Sequence, residues 1–314
     1  MKRLFSWLLV IALCFSLCAC ATDISGQEPK QATPLLYRVT DEGGNTVWLF
    51  GSVHVGREDY YPLPEYVLNA FDGADSLAVE ADIIAFEEDV TLQVEALTPL
   101  IYMDGSSIKD HISPELYDQS VAALEEFDTY MSALDMYCPA LWSSLLDSLV
   151  IEQLGADANL GIDRHLLERA KENQKEILEI ESAAFQYQML ADFSDEVQAL
   201  MLEGSVEMCQ DPDAARADLE ELMDLWASGD EQAFAAYLDG SDEDMTAEEE
   251  KLYEEYNKAM MTDRNLAMTE YAENALGSSK EVFICVGAAH VIGEGSITQL
   301  LAQRGYSVER ITEE

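Results

Sequence analysis

Twice in this chain an unbroken apolar run ends in Gly-x-x-His. One copy is Thr46-Val47-Trp48-Leu49-Phe50-Gly51-Ser52-Val53-His54, and the other is Val282-Phe283-Ile284-Cys285-Val286-Gly287-Ala288-Ala289-His290. Runs of this kind predict strands buried on both faces, as in parallel sheets covered by helices. Each copy delivers an imidazole to the tip of a core strand, where open α/β sheets keep their sites. The chain has four histidines, and two of them stand in this setting. A third short run, Ser76-Leu77-Ala78-Val79-Glu80, ends in a carboxylate. His54, Glu80 and His290 therefore read as one constellation. Gly51 and Gly287 are expected where the backbone turns sharply or approaches a ligand closely.

The remaining pattern builds a frame around these strands. Leu35 to Val39 and Thr46 to Phe50 flank Asp41-Glu42-Gly43-Gly44-Asn45, which predicts a hairpin. A helix from Pro64 to about Phe71 follows, then the strand ending at Glu80. The 26 residues from His54 to Glu80 suit a parallel crossover, and neighbouring strands would place the two ends ~4.8 Å apart. Ser113-Pro114-Glu115 opens a helix, Leu134 to Leu154 reads as buried helix, and Thr246-Ala247-Glu248-Glu249 has the form of a capping box. Lys175 to Glu181, Glu281 to Val286 and Tyr306 to Ile311 are the further strands. The fold class is α/β, with a discontinuous central mixed β-sheet formed by both ends of the chain. A large helical insertion occupies about 83–274 within a single domain spanning 35–314.

The first residues stand apart. Lys2 and Arg3 precede an apolar stretch from Leu4 to Leu17, the layout of an export signal and shorter than the ~20 residues a membrane span needs. Leu17-Cys18-Ala19-Cys20 resembles a bacterial lipobox. It predicts a signal peptide over 1–19, lipidation at Cys20, and a polar tether from 20 to 34. The expected location is extracytoplasmic and membrane-anchored, at the cell surface or in a periplasm. Formal net charge is -45, from 17 Lys and Arg against 62 Asp and Glu. Loss of Lys2 and Arg3 with the signal leaves 15 against 62, or -47. Such a surface disfavours nucleic acid and anionic lipid as partners. Beyond Cys20, only Cys138, Cys209 and Cys285 follow, at no metal-like spacing; one disulfide among them is compatible with the sequence.

Two imidazoles and one carboxylate are an ordinary ligand set for a catalytic divalent ion that keeps open positions. No His-Glu-x-x-His helix is present, so the chain is not a zincin. Asp163 reads most simply as the N-cap of the helix holding His165. Arg264, on a helix where cations are scarce, reads either as a surface ion pair or as an orienter of a carboxylate or oxyanion. His111 and His165 receive structural roles, and Tyr60 and Tyr61 packing roles.

The two Gly-x-x-His motifs resemble those of the TraB/GumN family, which also holds the pheromone-shutdown proteins and the animal Tiki proteases. The resemblance continues at Leu77-Ala78-Val79-Glu80, Gly161-Ile162-Asp163-Arg164-His165-Leu166, Asp263-Arg264-Asn265 with Met268, and Gly305-Tyr306-Ser307-Val308-Glu309-Arg310, closest to the GumN-like bacterial branch. It implies a sheet core with inserted helices and, from the Tiki members, manganese- or cobalt-dependent proteolysis. It would make His54, Glu80 and His290 the metal and catalytic groups, with Asp163 and Arg264 in support. The expected function is a membrane-anchored metal-dependent hydrolase, using Mn, Co or Zn on a peptide or small-molecule substrate. The alternative is a non-catalytic lipoprotein that captures a peptide, a metal or haem in the same pocket.

Overall fold

The computed structural model describes residues 32–239, 245–278 and 280–312. The expected signal, the lipidation at Cys20 and the tether as far as residue 31 lie outside these residues, and so does Gly240-Ser241, where the sequence predicts a break between helices. The tether is shorter than expected at its far end. Ala32 is buried, the Thr33 amide donates to the Ala227 carbonyl at 2.7 Å, and the Tyr66 hydroxyl donates to the Pro34 carbonyl at 2.7 Å. Residues 32–34 thus belong to the folded body.

Six strands form one mixed sheet: β1 (Leu36–Thr40), β2 (Thr46–Ser52), β3 (Ser76–Val79), β4 (Glu176–Glu179), β5 (Val282–Gly287) and β6 (Ser307–Ile311), in the order β4-β3-β5-β2-β1-β6. β4, β3, β5 and β2 run parallel, while β1 pairs antiparallel with both β2 and β6. Both ends of the chain build this sheet, as expected. One expectation fails: β2 and β3 are not neighbours, because β5 lies between them. β5 is the most apolar of the runs and takes the position where both faces are covered; every one of its residues is buried. Each large side chain so placed contributes about 1.5–3 kcal/mol. Apart from Arg38 on β1, the charges lie on the two edge strands, with Glu176 and Glu179 on β4 and Glu309 and Arg310 on β6, which discourages pairing with another chain.

The insertion is helical apart from β4. Its longest contact joins the Pro139–Leu154 and Asp195–Gln210 helices, whose Ser143 and Ser205 hydroxyls meet at 2.7 Å. The small residues Ser143, Gly204 and Ser205 allow the close approach, and the hydroxyl pair satisfies both buried groups. The Leu134–Leu154 segment divides into a short 3-10 turn, Ser132–Met136, and the helix beginning at Pro139. Ser113 and Thr246 cap their helices, and the capping box at Thr246 and Glu249 forms as read. The helix it opens is interrupted by a π-turn, Lys258–Thr262, before continuing as Asp263–Leu276. Cys138, Cys209 and Cys285 are all free thiols, so no disulfide forms among them.

Candidate active site

The four parallel strands end at one side of the sheet and release four titratable side chains there in strand order. Glu181 follows β4, Glu80 follows β3, His290 follows β5 and His54 follows β2. This is the carboxyl edge of the parallel strands, the usual site position in such sheets. Across it lies a cleft lined by His54, Glu80 and Asp163 among others, with about 30 Å3 of room for water-sized molecules.

Glu80 is the most constrained group. Its Oε2 accepts from Arg264 Nη2 at 2.5 Å and from Gln186 Nε2 at 3.2 Å, and its Oε1 accepts from the Gly287 amide at 2.7 Å. Burial alone would push its pKa up. Burial is the largest single influence, but the Arg264 guanidinium, both histidines and the Gly287 amide together outweigh it and hold the carboxyl well below the usual range. Arg264 is itself clamped: Nε and Nη2 donate to Glu181 at 2.8 and 2.9 Å, and Nη1 donates to the Met260 carbonyl at 3.3 Å within the π-turn. It is 2% exposed and does not line the cleft, so it is no surface ion pair; it acts as the orienter of Glu80. Glu80 does not cap the following helix. That role falls to Asp82, which accepts from the Ala85 amide.

His290 is pinned from the far side of its ring. Asn265 Nδ2 donates to the Gly295 carbonyl at 2.9 Å, which turns Asn265 Oδ1 towards His290 Nδ1 at 2.6 Å. Nδ1 therefore carries the proton, and the Nε2 lone pair lies 3.8 Å from Glu80 Oε1. Burial and the nearby Arg264 charge lower the His290 pKa to about 3, so the ring is neutral.

His54 is pinned likewise. Its Nδ1 lies 2.8 Å from Asp163 Oδ2, while Asp163 Oδ1 accepts from Ser52 Oγ at 2.6 Å and lies 3.7 Å from the Cys285 thiol. Burial, the largest single influence, disfavours the imidazolium, but Asp163 and Glu80 together outweigh it and raise the His54 pKa. The sequence reading of Asp163 as an N-cap is corrected here. The cap is Gly161, and Asp163, two residues further on, is turned inward to the strand ends. Gly161 is required by proximity: a Cβ there would lie 2.4 Å from the His54 carbonyl oxygen. The Ile162 amide donates to the Val53 carbonyl at 2.9 Å, so the helix start and the strand end are locked together. Gly51 answers to packing within the protein, since a Cβ would meet the Val291 side chain (Cγ2) at 2.7 Å and Ala288 Cα at 3.0 Å. The first motif's glycine thus makes room for the turn that carries the second motif's histidine.

The profile of the TraB/PrgY/gumN family matches residues 35–310. The chain belongs to the TraB/PrgY/gumN family. Among similar proteins, the "Uncharacterized protein YbaP" of Escherichia coli strain K12 is 28% identical over 266 residues, covering 84% of this chain and 90% of the relative. The protein of the same name from Shigella flexneri is similar to the same extent. No solved structure matches the chain. Of the family residues named from sequence, His54, Glu80, Asp163, Arg264, Asn265 and His290 meet at the strand ends just described, whereas Asp263 pairs outward with Lys258 and Ser307 to Arg310 lie on the edge strand β6.

The donor chemistry fits a divalent ion. Each imidazole has its Nδ1 oriented by an oxygen of Asp163 or Asn265, which makes Nε2 the atom it would offer to a metal. Glu80 and Glu181 share the Arg264 guanidinium, Asp163 faces His54, and Arg164 is paired with Glu87, so four carboxylates meet two guanidinium groups and leave excess negative charge that a dication would balance. Among the described residues, no group of three or more His, Cys, Asp or Glu side chains is arranged so that it could hold a metal ion. Glu80 and His290 are adjacent, and His54 stands close enough for its charge to act on Glu80.

Sequence reasoning missed Ser52, Glu181, Gln186 and Asn265. Glu181 had a readable signal, since it ends a strand-like run just as Glu80 does. Asn265 adjoins Arg264 in sequence. Nothing in the pattern marked Gln186. His111 and His165 stay outside the site: His111 lies 2.9 Å from Asp195, and the His165 ring packs on Tyr61. Tyr60 is buried against Trp226.

Proposed function

We propose that the protein is an extracytoplasmic, membrane-tethered, divalent-metal-dependent hydrolase acting on peptides. The observation that supports this most is the pair of strand-tip imidazoles, each oriented through Nδ1, beside a carboxylate that stays ionised. His54, His290 and Glu80 would hold the ion, which is Mn, Co or Zn. When bound, that ion supplies Lewis acidity for attack of water on a peptide carbonyl.

The protein's own groups then divide the remaining work. Glu80, held anionic by Arg264, is a poor proton acceptor and serves as a fixed negative ligand. Asp163 and Asn265 hold the imidazole rings, and Ser52 holds Asp163. His54 is the one strand-tip imidazole whose pKa is raised, which favours a second reading in which the His54–Asp163 pair takes a proton during turnover.

Metal content and cleavage of a peptide library, measured for wild type, His54→Ala and Glu80→Gln, test the proposal. Loss of both metal and cleavage in both variants is expected. Loss of cleavage with metal retained in His54→Ala supports the proton-acceptor reading instead. Equal metal and equal cleavage in all three proteins would refute the assignment. Tight peptide capture without product would identify a binding lipoprotein.

A further inference from the structure

We infer that Arg164 is the receptor for a carboxylate on the ligand that enters the cleft, and that Glu87 holds its place beforehand. Among the described residues, the buried Lys and Arg side chains are Arg164 and Arg264, and both lie at this site. In a chain with net charge -45, a guanidinium withdrawn from water beside a cleft is a placed group rather than part of a solvated surface. The two arginines differ in how they are held. Arg264 is wedged between Glu80 and Glu181, whose side chains are 5% and 6% exposed, and it does not reach the cleft. Arg164 lines the cleft and pairs with Glu87, whose side chain is 29% exposed.

That difference makes the Arg164 pair exchangeable. Glu87 sits on the six-residue helix Ile83–Glu88, which has no buried residue, so its carboxylate can return to water at little cost. Arg164 has no such exit, because its guanidinium is already desolvated. Replacing one carboxylate by another leaves that desolvation unchanged, and the planar fork accepts an incoming carboxylate through two parallel hydrogen bonds. The cleft as it stands holds water-sized molecules, so a peptide must part its walls. Ile83 lines that wall, and Glu87 is on the same short helix, which has no buried residue.

Arg164 also follows directly on Asp163, the residue that fixes His54, and both line the cleft. A ligand whose carboxylate replaces Glu87 therefore lies in the cleft that His54 and Glu80 also line. The carboxylate could come from the peptide's C-terminus or from an Asp or Glu side chain, and the chemistry recognised is the same. The inference rests on the peptide-hydrolase reading for the class of ligand, but binding to Arg164 does not require turnover.

Equilibrium dialysis of the purified protein against three N-acetylated tetrapeptide libraries, with retained peptides quantified by mass spectrometry, tests it. One library has free C-termini and no Asp or Glu, one has amidated C-termini and a single Asp or Glu, and one has neither carboxylate. Wild type is expected to retain at least one carboxylate library about tenfold better than the neutral one, the size of a charge-assisted contact. Which library is enriched names the source of the carboxylate. Glu87→Gln, a change at a half-exposed position, should increase that retention several-fold by removing the competitor. Arg164→Gln should abolish the preference, and Arg164→Lys should keep part of it, with folding checked by circular dichroism. Equal retention of all three libraries by wild type, no retention of any, or no effect of Glu87→Gln would overturn the inference. Carboxylate preference without product would leave it standing and remove the hydrolase reading, whereas product without carboxylate preference would do the reverse.

Discussion

Arg264 and Glu80 are 184 positions apart in sequence and 2.5 Å apart in the folded chain, at 2% and 5% side-chain exposure. A buried pair of this kind is a weak source of net stability, but a severe liability when one partner is removed. Arg264→Met should therefore cost about 3–5 kcal/mol by urea unfolding, because Glu80 and Glu181 are left facing each other without a cation. Arg264→Met combined with Glu80→Gln should recover part of that loss. A single variant within ~0.5 kcal/mol of wild type, the range of surface substitutions, would show that the pair is not buried as described.

Acid should destabilise the fold in two windows. His290 is lowered to about 3, so between its ordinary value near 6.5 and about 3 the unfolded chain binds a proton that the folded chain does not. Stability is lost as pH falls through that range. Glu80 is also lowered, from 4.5 to about 2; its contribution is present above 4.5 and is lost as pH falls towards 2. Relief of self-repulsion at net charge -45 acts in the opposite direction, so the comparison must be with a variant. His290→Gln should flatten the loss of melting temperature between pH 6.5 and 4.5. Parallel curves for the two proteins would contradict a neutral, buried His290.

Gly51→Ala tests the contact between the two motifs. The new methyl would press on Val291 and on the Ala288 backbone, which belongs to the turn bearing His290. An overpacking cost of about 1–3 kcal/mol is expected. Metal affinity should fall with it, although no ligand has changed. An unaffected melting temperature would show that the turn yields freely.

The Asp163 carboxylate should control protonation of His54. Asp163→Asn keeps the shape but removes the charge that opposes the burial penalty, so the His54 pKa should fall, as read by NMR titration of the imidazole. Ser52→Ala leaves the carboxylate in place and removes one buried hydrogen bond, with an expected cost of about 1 kcal/mol and a smaller effect on His54. A His54 titration unchanged by Asp163→Asn would break the pairing.

Much of this site was legible because its key residues follow apolar runs. The strands of His54, Glu80 and His290 could be read from composition, and so could their place at the carboxyl edge. Strand order could not. The 26-residue link from His54 to Glu80 suits adjacent strands, and only the greater apolarity of Val282 to Val286 hints that β5 inserts between them. Asp163 was misread because an acid early in a helix usually serves the helix's own amides. Here the close approach at Gly161 turns it to the strand ends, a tertiary fact with no local signature. Asn265 and Gln186 act on groups far away in sequence, and polar helix residues carry no mark of what they will face.

The central claim is that His54, Glu80 and His290 serve one divalent ion. Equilibrium dialysis against Mn2+, read as ions bound per chain, tests it most directly in wild type, His54→Ala, His290→Ala and Glu80→Gln. The account predicts about one tightly held ion in wild type and a loss of affinity of 10-fold or more in each variant, as expected for removal of a group at a metal site. Undiminished binding in all three variants, or none in wild type with Mn2+, Co2+ or Zn2+, would contradict it.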